Sequence, residues 1–122
     1  LAITAANLLI ALVALLHVWF LVLEMFLWTR PLGRRTFGTT AEFAAASRVL
    51  AANQGLYNGF LAAGLAWGLW LGREGDAVKL FFLACVLVAG LYGGATVSRR
   101  ILVVQALPAA LGLVLLAWTR VG

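Results

Sequence analysis

Cysteine, histidine, proline and acidic residues are scarce in this chain of 122 residues: Cys85 and His17 each stand alone, and four Asp and Glu face nine Lys and Arg. A single cysteine excludes an intramolecular disulfide and any cysteine-based metal spacing, so Cys85 is expected to be buried filler. One histidine beside so few carboxylates leaves no ligand set for catalytic metal, and no metal or cofactor is expected. Charged residues make up 11% of the chain, against about 25% in a soluble domain. What is abundant is apolar: 65% of residues are hydrophobic and the mean hydropathy is +1.06. This excludes a separate soluble catalytic domain, a nucleotide-binding domain and a disulfide scaffold. The net charge of +5 would suggest nucleic acid in a soluble protein. Here it is read as membrane topology, with no nucleic-acid partner.

Residues 1–23, 49–72, 80–98 and 101–119 carry no charge at all. A helix needs roughly 20 apolar residues to cross a bilayer core of about 30 Å. The expectation is an all-α polytopic membrane protein, a compact bundle of four transmembrane helices in one domain over residues 1–122, with helices near 2–28, 40–71, 77–97 and 101–120. The first stretch is too long for a signal-peptide core and lacks a basic flank, so it is expected to stay as a helix. The chain starts at Leu1 and not Met, which leaves room for residues before it. Arg30, Arg34, Arg35, Arg48, Arg99 and Arg100 flank the first and third connections, against Arg73, Lys79 and Arg120 on the other side. Because Lys and Arg in short loops set orientation, the expected topology in the inner (plasma) membrane has both termini outside and loops 29–40 and 98–100 in the cytoplasm.

Local signals place the ends. Pro31 pushes Arg30 out of helical geometry, and residues 30–38 read as a loop. Thr39-Thr40-Ala41-Glu42 reads as a capping box in which the Thr39 hydroxyl takes the Glu42 N–H and the Glu42 carboxylate reaches back to Thr39. Gly72 to Asp76 reads as a turn, with Asp76 able to cap the next helix. Pro108 is placed to kink the last helix by freeing the Val104 carbonyl.

Polar side chains inside membrane helices cost energy and each asks for a reason. His17 and Glu24 are seven residues apart, within about 20° on one helix face. Asn53, Gln54, Tyr57 and Asn58 cover an arc of about 140° on the second helix. Tyr92 and Thr96 follow on the third and Gln105 on the fourth. By depth all but His17, which is near the middle, fall in the cytoplasmic half, which points to a polar pocket opening there. The competing reading is that these residues only tie helices together by hydrogen bonds, and that Glu24 snorkels or pairs with Arg30 or Arg34. Gly55 with Gly59, roughly opposite the polar arc, and Gly64 with Gly68 form small-residue faces, as do Gly90, Gly93 and Gly94. These suit close packing within the bundle or in a homo-oligomer. Trp28, Trp67, Trp70 and Trp118 read as interface anchors.

The segments Leu23 to Phe26, Leu50 to Ala62, Leu80 to Phe82, Tyr92 to Ser98 and Gln105 to Pro108, together with His17, resemble the small bacterial four-helix membrane family catalogued as domain of unknown function 1304. The resemblance covers nearly the whole chain. It implies a compact four-helix inner-membrane protein and no established reaction.

Three functions fit the residues. The first is a membrane-embedded pocket that binds or converts a small amphiphilic or lipid-like molecule beside membrane lipid. There His17 and Glu24 would be an acid/base pair, as an isomerase or epimerase of a lipid-soluble substrate needs, and Asn53, Gln54, Tyr57, Asn58, Tyr92, Thr96 and Gln105 the lining. The second is a small proton-coupled exporter, disfavoured by the position of Glu24 near a helix end. The third is a scaffold or partner subunit without chemistry.

Overall fold

The computed structural model describes residues 1–121. It is all-α, with no strand among the described residues: α1 (Ala2–Met25), α2 (Pro31–Phe37), α3 (Ala41–Trp70), α4 (Asp76–Thr96) and α5 (Leu107–Val121). A 3-10 turn, Gly72–Gly75, leads into α4, and a π-helical turn, Leu102–Ala106, leads into α5. Among the described residues three stretches, Ala2–Met25, Gly72–Thr96 and Leu102–Val121, are long and apolar enough to cross a membrane. The second expected span lies in α3, which is long, but Asn53, Gln54, Tyr57 and Asn58 interrupt its apolar run and it is not among the three.

Residues 30–38 are not a loop. Arg30 is extended (φ −81, ψ 159), Pro31 opens α2 at a position where its missing N–H costs nothing, and Gly38 closes it at φ 67. At seven residues α2 is too short to leave a hydrophobic period. It also shortens the first helix, which ends at Met25 rather than near residue 28. The cap of α3 lies one residue later than expected. The Thr40 hydroxyl accepts the Phe43 N–H at 3.1 Å, so Glu42 falls one position too early to close a capping box. The Thr39 hydroxyl is buried without a hydrogen-bond partner.

The chain divides into two compact units, residues 15–62 and residues 1–14 with 63 onward. In residues 15–62, Leu23, Ala44, Ala51 and Ala62 form the apolar core. Small residues on α3 let α1 approach: a Cβ at Gly55 would lie 2.7 Å from Met25 Cγ, and one at Gly59 would lie 2.6 Å from Leu21 Cδ1. Gly33 seats α2 directly against the Leu27 carbonyl. Trp28 is a structural link in this unit. Its indole N–H donates to Ser47 Oγ at 3.0 Å and its ring centroid lies 5.0 Å from that of Phe37.

In the other unit, Ile10, Leu65, Leu83, Val86, Ala109 and Leu116 are fully buried. Gly64 faces the Phe82 ring, and Gly68 leaves room for the Lys79 stem. The π turn directly precedes Pro108: the Leu107 N–H reaches back five residues to the Leu102 carbonyl. This wide turn absorbs the ring that would otherwise clash with a regular turn. Its backbone also packs closely on α4, because a Cβ at Gly90 would lie 2.7 Å from Ala106 N and 2.8 Å from Ala106 Cα. Backbone cannot step aside, so Gly90→Leu is expected to lower stability by about 2 kcal/mol through overpacking. Gly93→Ala meets only the Ile101 side chain at 3.2 Å and is expected to cost much less. Thermal unfolding of the two variants in detergent checks the difference.

Cys85 is half-exposed on the outer face of α4, where it lines an apolar groove with Phe81, Ala84, Val88, Ala89 and Tyr92. It is not buried filler.

Candidate functional site

Among the described residues four ionisable side chains are buried: His17, Glu24, Asp76 and Lys79. They fall into two groups, one in each unit.

The first group is built on α1 and α3. Glu24 is 3% exposed, one residue before the end of α1. It does not snorkel. The Asn58 amide donates to Glu24 Oε1, and the Gln54 side chain bonds the same carboxyl. Gln54 and Asn58 are four residues apart, so both reach α1 from one face of α3. Gly55 makes this possible by sparing a Cβ that would come within 3.1 Å of Glu24 Cβ. The glycine stripe and the edge of the polar arc therefore meet the same helix, and the expectation that Gly55 and Gly59 lie roughly opposite the arc is corrected.

His17 is 1% exposed, with its ring edge toward Phe20 at 5.1 Å between centroids. Two helical turns, about 10 Å of rise, separate it from Glu24. Asn53 and Tyr57 lie on the exposed side of α3. The Asn53 amide donates to its own helix at the Val49 carbonyl, 2.9 Å, and the Tyr57 ring, 61% exposed, sits 5.9 Å from Phe60. The structure thus gathers Glu24, Gln54 and Asn58, with Asn53 and Tyr57 exposed beside them. Tyr92, Thr96 and Gln105 belong to the other unit. Tyr92 is 71% exposed, the Thr96 hydroxyl donates to the Tyr92 carbonyl at 2.7 Å, and Gln105 is half-buried in the π turn.

The second group escaped the sequence reading, which counted Lys79 as a flanking charge and Asp76 as a cap. The cap position of α4 is Gly75, and Asp76 is the first residue of the helix itself. Lys79 is wholly buried, and its Nζ lies 3.2 Å from both Asp76 Oδ1 and Asn7 Oδ1. Arg73 and Arg120 approach Asp76 Oδ2 at 3.6 and 3.8 Å. The available signal was the i,i+3 spacing of Asp76 and Lys79, together with Asn7, the one amide in the first charge-free stretch.

A helical chain with membrane-length helices and buried polar clusters is the class these features define. The chain belongs to the family described as Protein of unknown function (DUF1304), which matches residues 11–117. It is similar to the uncharacterised protein YpaA of Lactococcus lactis subsp. lactis, with 33% identity over 106 residues, covering 84% of this chain and 88% of that one. No solved structure matches it.

Proposed function

We propose that this is a four-span protein of the inner membrane, with α3 as the fourth span, that binds or converts a small amphiphilic or lipid-like molecule at the Glu24 cluster. One observation carries the reading: Asn53, Gln54 and Tyr57 are exposed on a long helix, directly beside a buried carboxyl. At 1.5 Å per residue the 30 residues of α3 reach well past a bilayer core. An uncovered polar arc inside that core is costly, and the polar head of an amphiphile satisfies it. In this reading Glu24 exchanges a proton with the bound molecule, and His17 is its acid/base partner deeper on the same helix face. Both termini lie outside, and residues 29–40, which include α2, and 98–100 lie in the cytoplasm beside the arginines.

The test is mass spectrometry of small molecules that co-purify with the chain in lipid nanodiscs. Wild type is expected to retain a discrete amphiphile. Gln54→Leu with Tyr57→Phe is expected to lower its occupancy about tenfold, through two lost hydrogen bonds. The same extract from both proteins overturns the reading, as does a crosslinked dimer joined through Tyr57, which would make the arc a self-association face.

A further inference from the structure

Arg73 and Arg120 occupy the same end of two membrane-length stretches, since Gly72–Thr96 begins and Leu102–Val121 ends there. This is the level of lipid headgroups. Trp118, exposed beside them, has the character of an interface residue.

Charge at this end does not balance. Lys79 is buried against Asp76 at 3.2 Å, which uses the single negative charge of the cluster. Arg73 and Arg120 stand 3.6 and 3.8 Å from the same carboxylate, beyond hydrogen-bond distance, and both are about half exposed. The side-chain hydrogen bond that Arg73 does make goes to Thr119 Oγ1 at 3.1 Å. Glu74, exposed in the same turn, makes no ion pair among the described residues. Each guanidinium carries five N–H donors in a fixed fork, so most of these donors are unused. Because both Arg nitrogens lie within 4 Å of one Asp76 oxygen, they are less than 8 Å apart. One tetrahedral anion can bridge two forks at such a separation.

Space is present as well. A depression of about 440 Å³ opens at this point, lined by Arg73, Trp118 and Thr119 and by Ala2 and Ile3 at the start of α1. Asp76 is only 2% exposed, its charge is offset by Lys79 at 3.2 Å, and its other oxygen holds the two arginines.

We infer that Arg73 and Arg120 form a phosphate-binding site at the membrane surface, built for the headgroup of an anionic phospholipid. Lys79 and Asp76 are its internal support: they neutralise one another and fix the two arginines around a shared oxygen. The site is independent of the Glu24 cluster, and neither proposal depends on the other.

The experiment titrates the full chain in neutral detergent with short-chain phosphatidylglycerol, short-chain phosphatidylcholine and inorganic phosphate, following tryptophan fluorescence. Wild type is expected to bind phosphatidylglycerol at least about tenfold more tightly than phosphatidylcholine, the scale of one good charge-assisted contact. Arg73→Gln with Arg120→Gln is expected to abolish that preference, and Arg99→Gln with Arg100→Gln, the same change of charge elsewhere, to keep it. Arg73→Lys with Arg120→Lys holds the charge on Asp76 and guards against mere unfolding; it is expected to weaken the preference, because an ammonium lacks the fork. Inorganic phosphate that competes with phosphatidylglycerol locates the recognition in the phosphate. Inorganic phosphate binding in place of lipid makes the ligand a free anion and overturns the lipid assignment. Equal affinity for the two lipids, or equal loss in both Gln variants, overturns the site.

Discussion

Asp76→Ala is expected to destabilise the protein by about 3–5 kcal/mol, the usual cost of leaving a buried charge without its partner. Lys79 is fully buried, and without Asp76 it keeps only the Asn7 oxygen at 3.2 Å while Arg73 and Arg120 add like charge nearby. The reverse substitution is not symmetric. Lys79→Met leaves Asp76 with two guanidiniums already within 4 Å, so a clearly smaller loss is expected. The double variant Asp76→Leu with Lys79→Met removes both buried charges and is expected to recover most of the loss. A double-mutant cycle in detergent, with unfolding driven by SDS, measures the coupling between them. Equal loss from the two single variants would show that Arg73 and Arg120 do nothing for Asp76.

The second large effect is expected at Asn58. Asn58→Leu strips the Glu24 carboxyl of a donor and packs an apolar branch against it, at a cost of about 3 kcal/mol for a buried polar group left short of partners. Glu24→Gln keeps an oxygen to accept the Asn58 amide and is expected to cost less than about 1 kcal/mol. The contrast separates packing from chemistry. If Glu24 serves only to hold helices together, Glu24→Gln behaves as wild type in every assay. If it exchanges protons, that well-folded variant loses the function, including any proton-driven uptake in proteoliposomes. Unfolding midpoints of the two variants give the first comparison. Glu24→Gln less stable than Asn58→Leu would contradict the geometry.

The three membrane-length stretches were legible because absence of charge over about 20 residues has one common physical meaning, whereas the short α2 was not. Helix ends were less legible. Thr39 and Thr40 are adjacent and chemically equal as caps, and the choice between them rests on where the left-handed turn at Gly38 ends α2. Glu24 and Asn58 were each visible as unusual membrane residues. Their pairing was not, because it depends on how far α3 is rotated toward α1, and the small residues Gly55 and Gly59 decide that rotation. Lys79 was the least legible. A lysine near a helix start reads as solvated flank, and its burial follows from Gly68, where a Cβ would stand 2.8 Å from Lys79 Cγ. For Glu24 and Lys79 the missing information was a contact with a residue on another helix.

The π turn before Pro108 keeps two contacts on one face of the helix. Ile101 and Ala106 both meet glycines of α4, at Gly93 and Gly90, although they are five residues apart. Beyond them the buried positions Ala109, Gly112 and Leu116 keep ordinary helical spacing. Five residues of regular α-helix would set the two contacts about 140° apart. The wide turn holds one residue more than a regular turn would, and the helix beyond it keeps its facing. A homologue lacking proline here could shed that residue and keep the same seam. An alignment gap between positions 101 and 106 would then record a change of length with no change of fold.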